Sequence, residues 1–189
     1  MSKYTALYDA CVLYPAPLRD LLMELACCDL FRARWSPDIH EEWIRNVLES
    51  RPDLKREQLN RTRELMDSNV RDCIVTGYTP LIETLTLPDK NDRHVLAAAI
   101  RGRVDVIVTY NLKDFPSSIL DDYDLEAQHP DEFIAHLADL SSTAVYKAAK
   151  TVRARLQEPP IPVDEYLAIL SKLQLPKTVD FLNDGKSLF

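Results

Sequence analysis

Four acidic residues of this chain could act together in one chemical role, and they are Asp9, Glu42, Asp92 and Asp114. Asp9 is the most informative, because it lies in the apolar run 4–13, which is typical of a strand buried on both faces. A buried ionised carboxylate is costly unless a cation compensates its charge, and this run contains no Lys or Arg. A group of acids without paired bases suits a hard divalent cation. The residue types therefore predict a metal site.

The elements around these acids predict how they meet. Strand and helix patterns alternate up to about residue 140 without an Asn-Gly or Asp-Gly hairpin dipeptide, as expected for a parallel sheet covered by helices on both faces. Ligands of such sheets bind beyond the C-terminal ends of the strands. We therefore expect the four acids to converge at one edge of the sheet. The predicted strands lie at about residues 4–13, 30–35, 73–78, 104–109 and 124–128.

Histidine and cysteine do not add a second kind of metal ligand. The sequence has no His-Glu-x-x-His motif and no Cys pair at ligand spacing, so oxygen ligands favour Mg²⁺ or Mn²⁺ over zinc. With only three glycines, neither Gly-rich phosphate-loop motif can be written, and any phosphate chemistry must depend on cations. The four cysteines lie in apolar stretches and are predicted to be buried free thiols. They are Cys11, Cys27, Cys28 and Cys73.

The charge distribution limits the kinds of partner that the chain can bind. A formal net charge of −7 argues against a protein that coats nucleic acid nonspecifically, but not against an enzyme that handles a few phosphates. Residues 141–155 contain no acid, and Lys147, Lys150 and Arg153 recur every third residue on roughly one helix face. This face is a candidate for substrate binding, and the alternative is an ordinary solvated helix face.

Length and composition predict a domain at residues 1–140 and a helical C-terminal extension at 141–189. The extension reads as a basic helix, a linker at 158–162 and a short apolar helix. No apolar run approaches the roughly 20 residues that span a bilayer, and the start lacks the pattern of a secretory leader. We therefore expect a cytoplasmic protein without a membrane partner.

Four segments resemble the signatures of PIN-domain ribonucleases, most closely those of VapC-type toxins from bacterial toxin–antitoxin pairs. The resemblance covers about residues 4–135. It implies a three-layer α/β/α fold with a central, mainly parallel sheet. The four segments are Leu7–Leu13, Ser36–Trp43, Pro88–Ala99 and Ile107–Pro116.

The resemblance also implies roles for individual residues. Asp9, Glu42, Asp92 and Asp114 would be the catalytic acids that coordinate Mg²⁺ or Mn²⁺, with Glu41 as an alternative to Glu42. Asp89 would be an accessory acid, and Thr109 and Asn111 would line the site. Many family members have Asp where this chain has Asn111, so the fourth acid is assigned to Asp114.

The implied activity is metal-dependent hydrolysis of RNA phosphodiesters by the toxin of a type II toxin–antitoxin pair. The implied partners are an RNA substrate and a cognate antitoxin, and apolar helices at about 18–26 and 43–48 could support a homodimer. Two alternatives stay open. One is a catalytically silent PIN-like module that binds RNA or protein. The other is a Mg²⁺-dependent phosphatase of the haloacid-dehalogenase type, although Cys11 stands where that family needs a second Asp.

Overall fold

A computed structural model describes residues 4–156 and 159–188 of the chain. The four strands are β1 Thr5–Tyr8, β2 Arg32–Arg34, β3 Val106–Val108 and β4 Glu126–Gln128. The helices of the first two thirds are α1 Ala10–Leu13, α2 Ala16–Ala26, α3 Pro37–Ser50, α4 Arg56–Asn69, α5 Thr79–Ile82, α6 Arg93–Gly102 and α7 Ser117–Leu120. They are followed by α8 Pro130–Leu140, α9 Ser142–Arg155, α10 Val163–Lys172 and α11 Pro176–Asp184. Short 3₁₀ turns occupy Lys90–Asp92, Leu112–Asp114, Asp121–Tyr123 and Lys186–Leu188.

The sheet has the strand order β2-β1-β3-β4, and every described pairing is parallel. The central strands β1 and β3 are buried along their whole length, and their sequences, Thr-Ala-Leu-Tyr and Val-Ile-Val, suit burial on both faces. The outer strands have one small residue between polar neighbours, Arg-Ala-Arg in β2 and Glu-Ala-Gln in β4. The parallel α/β architecture predicted from the sequence is confirmed.

Helix α3 is anchored at its start and along one face. Ser36 caps it by accepting a hydrogen bond from the amide of Ile39 at 3.2 Å, and Pro37 occupies the first turn. His40 is fully buried and accepts a 2.9 Å hydrogen bond from the Trp43 indole. The other ring nitrogen of His40 lies 2.9 Å from Asp67, a residue of α4. These contacts fix the helix that carries Glu42.

Two strand predictions were wrong. The first strand ends at Tyr8, because Asp9 caps a helix, α1, in the second half of the apolar run. Residues 73–78 form no strand, and the parallel bridge between Trp35 and Ile74 is the sheet-like contact described there. A short apolar run fits a buried strand and a buried helix equally well, so periodicity alone could not separate them.

The described chain folds into two compact units. The first comprises the residues up to Tyr14 and Phe31–His129, and it holds the sheet. The second comprises Pro15–Leu30 and the residues from Pro130 onward, in which α2 packs against α9 and α10, and α8 packs against α9 and α11. The helical C-terminal region is as predicted, with α11 in addition. The division at residue 140 stays a prediction.

The predicted linker at 158–162 begins at Glu158, which lies outside the described residues. Among the residues that are described, no helix is long and apolar enough to cross a membrane. All four cysteines are free thiols, as predicted, but Cys73 alone is buried and Cys27 is exposed.

Candidate functional site

Asp9 lies at the junction of β1 and α1, where three donors hold its carboxylate. Oδ1 accepts from the backbone amide of Ala10 at 2.6 Å, and Oδ2 accepts from the Thr109 hydroxyl at 2.7 Å and the Cys11 thiol at 3.2 Å. The side chain is 3% exposed. Burial raises the pKa of Asp9, the hydrogen bonds from Thr109 and Cys11 oppose that rise, and the charge of Glu42 adds to it.

The sheet register explains why Asp9 and Thr109 meet. Tyr8 pairs with Val108 across β1 and β3, and the amide of Asp9 donates to the Val108 carbonyl at 3.1 Å. The next residue of each strand therefore lies at the same carboxyl edge. Thr109 also accepts a 2.9 Å hydrogen bond from the amide of Asn111, so its hydroxyl is engaged on both sides.

Asp92 shows most directly that the predicted acids converge. It ends the 3₁₀ turn before α6 and is 9% exposed. Burial and, after it, the charges of Asp9, Asp89, Asp114 and Glu42 together raise the pKa of Asp92 to about 7. We call these five side chains the acid cluster. All four main acids of the sequence prediction and the accessory Asp89 belong to it.

In the described part of the chain, the carboxylates of the acid cluster are not paired with Lys or Arg. In residues 4–156 and 159–188, no Lys or Arg forms an ion pair with any of its members. Its one described ion pair joins Glu42 to His94, whose Nε2 lies 3.0 Å from Oε2 of Glu42. Burial lowers the pKa of His94, but Glu42, Asp38 and Asp9 outweigh that effect and the net shift is upward.

Asp131 shows what a structural buried aspartate looks like in the second unit. It is 5% exposed, and its carboxylate accepts hydrogen bonds from the amide of Lys177 at 2.9 Å and from the amide and hydroxyl of Thr178 at 2.9 and 2.8 Å. Asp92 has no comparable set of donors among the described residues. The burial of Asp92 is therefore not explained by a structural role of that type.

The geometry distinguishes Glu42 from Glu41. Glu41 is 50% exposed and accepts a bidentate pair of hydrogen bonds from Arg56, at 2.7 and 3.0 Å. Glu42 is 28% exposed, and its charge acts on both Asp9 and Asp92. Glu42 is thus the one of the two that is coupled to the acid cluster.

A cavity of about 590 Å³ opens beside the acid cluster, and we call it the acidic cavity. It is lined by the predicted Glu42, Asp89, Asp92 and Asn111 and also by Glu41, the predicted alternative to Glu42. Asp9, Asp114 and Thr109 do not line it, and Asp9 and Thr109 are buried. Sequence reasoning missed Asp38, Arg45, Asn46, Asn91 and His94, which also line it. The sequence could have identified Asp38, because it precedes Glu42 by four residues and therefore lies on the same face of α3.

The donor set of the acid cluster fits a hard divalent cation in its chemistry. Carboxylates are the ligands that Mg²⁺ and Mn²⁺ prefer, and a cation would remove the repulsion that raises the pKa of Asp92. In the described part of the chain, no three His, Cys, Asp or Glu side chains already stand at metal-ligand positions. Binding would therefore require these side chains to draw closer together.

The basic face predicted for substrate binding lies in the second unit, on α9. Lys147 and Lys150 are exposed, while Arg153 is half-buried and donates a 3.3 Å hydrogen bond to the Ile161 carbonyl. Arg153 is thus partly engaged within its own unit. The substrate-binding role of these three residues stays a prediction.

The sheet and the acid cluster define an α/β protein with an acidic site at the carboxyl edge of a parallel sheet. Comparison with known families supplies the class: a sequence model described as "PIN domain" matches residues 5–113, more than half of the chain. The chain belongs to the PIN-domain family. A second model, described as "VapC50 C-terminal domain", matches residues 130–184.

One similar protein is the "Putative ribonuclease VapC50" of Mycobacterium tuberculosis. The two are 50% identical over 68 residues, which make up 36% of this chain and 40% of that protein. The match thus spans about two fifths of the relative's length. No solved structure matches the chain significantly. The VapC-type resemblance inferred from the sequence is confirmed.

Proposed function

We propose that the chain is an endoribonuclease that depends on Mg²⁺ or Mn²⁺, and that it is the toxin of a type II toxin–antitoxin pair. The observation that carries the proposal is Asp92, a buried carboxyl whose pKa is raised to about 7 by its burial and by four other acids. Such mutual repulsion is tolerated at sites that bind a cation or transfer protons. The similarity to a ribonuclease of the VapC type supports RNA as the substrate.

Each acid has a distinct part in the proposed mechanism. Asp9, held by Thr109 and the Ala10 amide, supplies a carboxylate of fixed orientation. Asp92 and Asp114 complete the ligand set, and Glu42 adds a fourth carboxylate from α3. When bound, the divalent cation neutralises charge on the phosphodiester and activates water for attack.

Hydrolysis breaks the bond between phosphorus and the 3′ oxygen. The products are a 5′ phosphate and a 3′ hydroxyl, and the reaction needs no histidine base. In this proposal Asp89 is an accessory acid, and Asn111 lines the site with it. The basic face of Lys147, Lys150 and Arg153 is an additional candidate for RNA contact.

The proposal includes partners and a location. A cognate antitoxin would inhibit the nuclease by placing a basic side chain into the acidic cavity, because that cavity carries several unpaired carboxylates. A homodimer, for which the sequence offers the apolar helices at about 18–26 and 43–48, and a cytoplasmic location are part of the same proposal.

Cleavage of total RNA tests the proposal. The wild type is incubated with Mn²⁺, and Asp9→Asn, purified in the same way, is compared with it; the buried Asp131→Asn serves as a matched control. We expect the wild type and Asp131→Asn to cut RNA, chelation to stop the reaction, and Asp9→Asn to be slower by orders of magnitude.

The same experiment separates the alternatives. Full activity of Asp9→Asn would remove the mechanism. RNA binding without cleavage would identify the silent module, and turnover of a generic phosphomonoester instead of RNA would identify a phosphatase.

A further inference from the structure

A second cavity, of about 500 Å³, adjoins the acidic cavity and has no role in the mechanism above. We call it the Tyr14 cavity; it is lined by Cys11, Tyr14, Asn46, Glu49 and Ser50. Asn46 lines both cavities, so they are neighbours along α3. Cys11 links the Tyr14 cavity to the acid cluster, because its thiol donates to the Asp9 carboxylate at 3.2 Å. Whatever occupies the Tyr14 cavity therefore lies directly beside the acid cluster.

The Tyr14 ring is exposed and held in place. Its side chain is 38% exposed, and its hydroxyl donates a 2.9 Å hydrogen bond to the Ser50 hydroxyl. Ser50 in turn donates to the Val47 carbonyl at 3.0 Å. An exposed aromatic ring with a fixed orientation is a preformed surface on which a planar ring can stack.

The charges of the two cavities select different parts of a nucleotide. None of the five residues that line the Tyr14 cavity is Lys or Arg, and Glu49 would repel a phosphate. The acidic cavity, in contrast, contains Arg45, which forms no described ion pair, but five carboxylates also line it. A neutral base fits the first cavity, and a phosphate fits beside Arg45 in the second when the cation of the proposed function offsets those carboxylates.

We propose that the Tyr14 cavity is a nucleobase subsite, in which the base of the RNA nucleotide next to the scissile phosphate stacks on Tyr14. The inference rests on RNA being the substrate, as proposed above. Asn46 and Glu49 offer an amide and a carboxylate to the edge of that base. The nuclease then reads one nucleotide beside the cut through a surface that lies outside the acid cluster.

Binding is tested first, without cleavage. A labelled oligoribonucleotide is titrated in fluorescence anisotropy against Asp92→Asn protein with Mg²⁺, alone and combined with Tyr14→Ala, Tyr14→Phe or Tyr123→Ala. Tyr123 is 39% exposed and lines neither cavity, so it is the matched control. Loss of one stacked base should weaken binding by about 5- to 100-fold in Tyr14→Ala. Tyr14→Phe keeps the ring but loses its hydrogen bond to Ser50, so it should bind more tightly than Tyr14→Ala and no more tightly than the parent. Tyr123→Ala should bind like the parent.

Cleavage of RNA that carries a single abasic nucleotide is tested second. For the protein with an intact Asp92, an abasic nucleotide next to the cut should lower kcat/KM by about tenfold or more, and the same substitution should have no further effect on Tyr14→Ala. This arm needs no Tyr14 variant to show the effect of the missing base, so a folding defect in Tyr14→Ala would not obscure it.

The outcomes distinguish the subsite from the nuclease. RNA that is cut normally by Tyr14→Ala and at abasic positions would overturn the subsite and leave the nuclease in place. RNA that binds in a Tyr14-dependent way but is never cut would remove the nuclease and keep Tyr14 only as a base-stacking residue with no cut beside it. Absence of any RNA binding would remove both.

Discussion

The Thr109 hydroxyl donates a 2.7 Å hydrogen bond to Oδ2 of Asp9, joining the residues that follow two neighbouring parallel strands. Thr109 is fully buried and Asp9 is 3% exposed. The register of β1 and β3 therefore sets the orientation of the Asp9 carboxylate before any ligand binds. The Asp9 side chain is therefore fixed at the edge of the sheet and does not rotate freely.

Replacing Thr109 with Val keeps the shape of the side chain and removes its hydroxyl. Asp9 then loses a donor and the Asn111 amide loses an acceptor, so the free energy of unfolding at pH 7 should fall by about 1–3 kcal/mol. RNA cleavage should fall by about tenfold or more, because Asp9 loses one of the three donors that orient its carboxylate. Thr109→Ser, which retains the hydroxyl, should recover most of both. Wild-type cleavage by Thr109→Val would show that the bond has no role in the activity.

Glu42 and Glu41 provide a matched pair of substitutions on one helix. Glu42→Gln should slow RNA cleavage by at least about tenfold and weaken Mn²⁺ binding in calorimetry, since the charge of Glu42 acts on Asp9 and Asp92. Glu41→Gln breaks only an exposed ion pair with Arg56 and should change stability by less than about 1 kcal/mol and cleavage hardly at all. The reverse order of effects would mean that the wrong glutamate has been assigned to the acid cluster.

Asp92 predicts an unusual dependence of stability on pH in the metal-free protein. Because its pKa is raised to about 7 in the folded state, the stability it contributes is fully present below about pH 4 and is lost as the pH rises through 7. The Asp92→Asn variant does not lose stability in this way, because an amide does not ionise. In urea unfolding with a chelator, the free energy of unfolding of Asp92→Asn relative to the wild type should therefore increase by about 2 kcal/mol from pH 4 to pH 8. Adding Mg²⁺ at pH 8 should reduce this difference in stability. A difference of constant size across this range would argue against a strained acid at position 92.

Asp131→Asn should lower the stability of the folded protein, whereas Asp92→Asn should raise it. Its carboxylate accepts three described hydrogen bonds at the start of α11, and an amide cannot accept all of them. The free energy of unfolding at pH 7 should fall by about 1–3 kcal/mol, while the folded variant cuts RNA normally. A stabilised Asp131→Asn, measured beside Asp92→Asn, would remove the distinction drawn between a structural buried aspartate and a strained one.

The sequence predicted the parts of the fold and site that follow from local patterns. Fully apolar segments identified β1 and β3, and Ser36-Pro37 identified the start of α3. A carboxylate within the apolar run 4–13 identified Asp9, although the strand ends at Tyr8, five residues before the predicted end. The convergence of Asp92 with Asp9 followed from the rule that parallel strands end at the same edge of a sheet.

Other features depend on contacts that no local pattern encodes. His94 read as an ordinary helical residue, and its contact with Glu42, 52 positions away, exists only in the folded chain. The preference for Glu42 over Glu41 follows from the partner of Glu41, Arg56, which lies on the next helix. The Tyr14 cavity likewise combines Cys11 of α1 and Tyr14, which follows α1, with residues from the last turns of α3.

The most direct test of the acid cluster as a cation site is anomalous diffraction from a crystal of the wild type soaked in Mn²⁺. We predict one or two anomalous peaks within about 2.0–2.4 Å of carboxylate oxygens of Asp9 and Asp92, with Asp114 or Glu42 nearby, and their loss in Asp92→Asn crystals. A well-ordered site without a peak, with the carboxylates far apart or paired to Lys or Arg, would contradict the account.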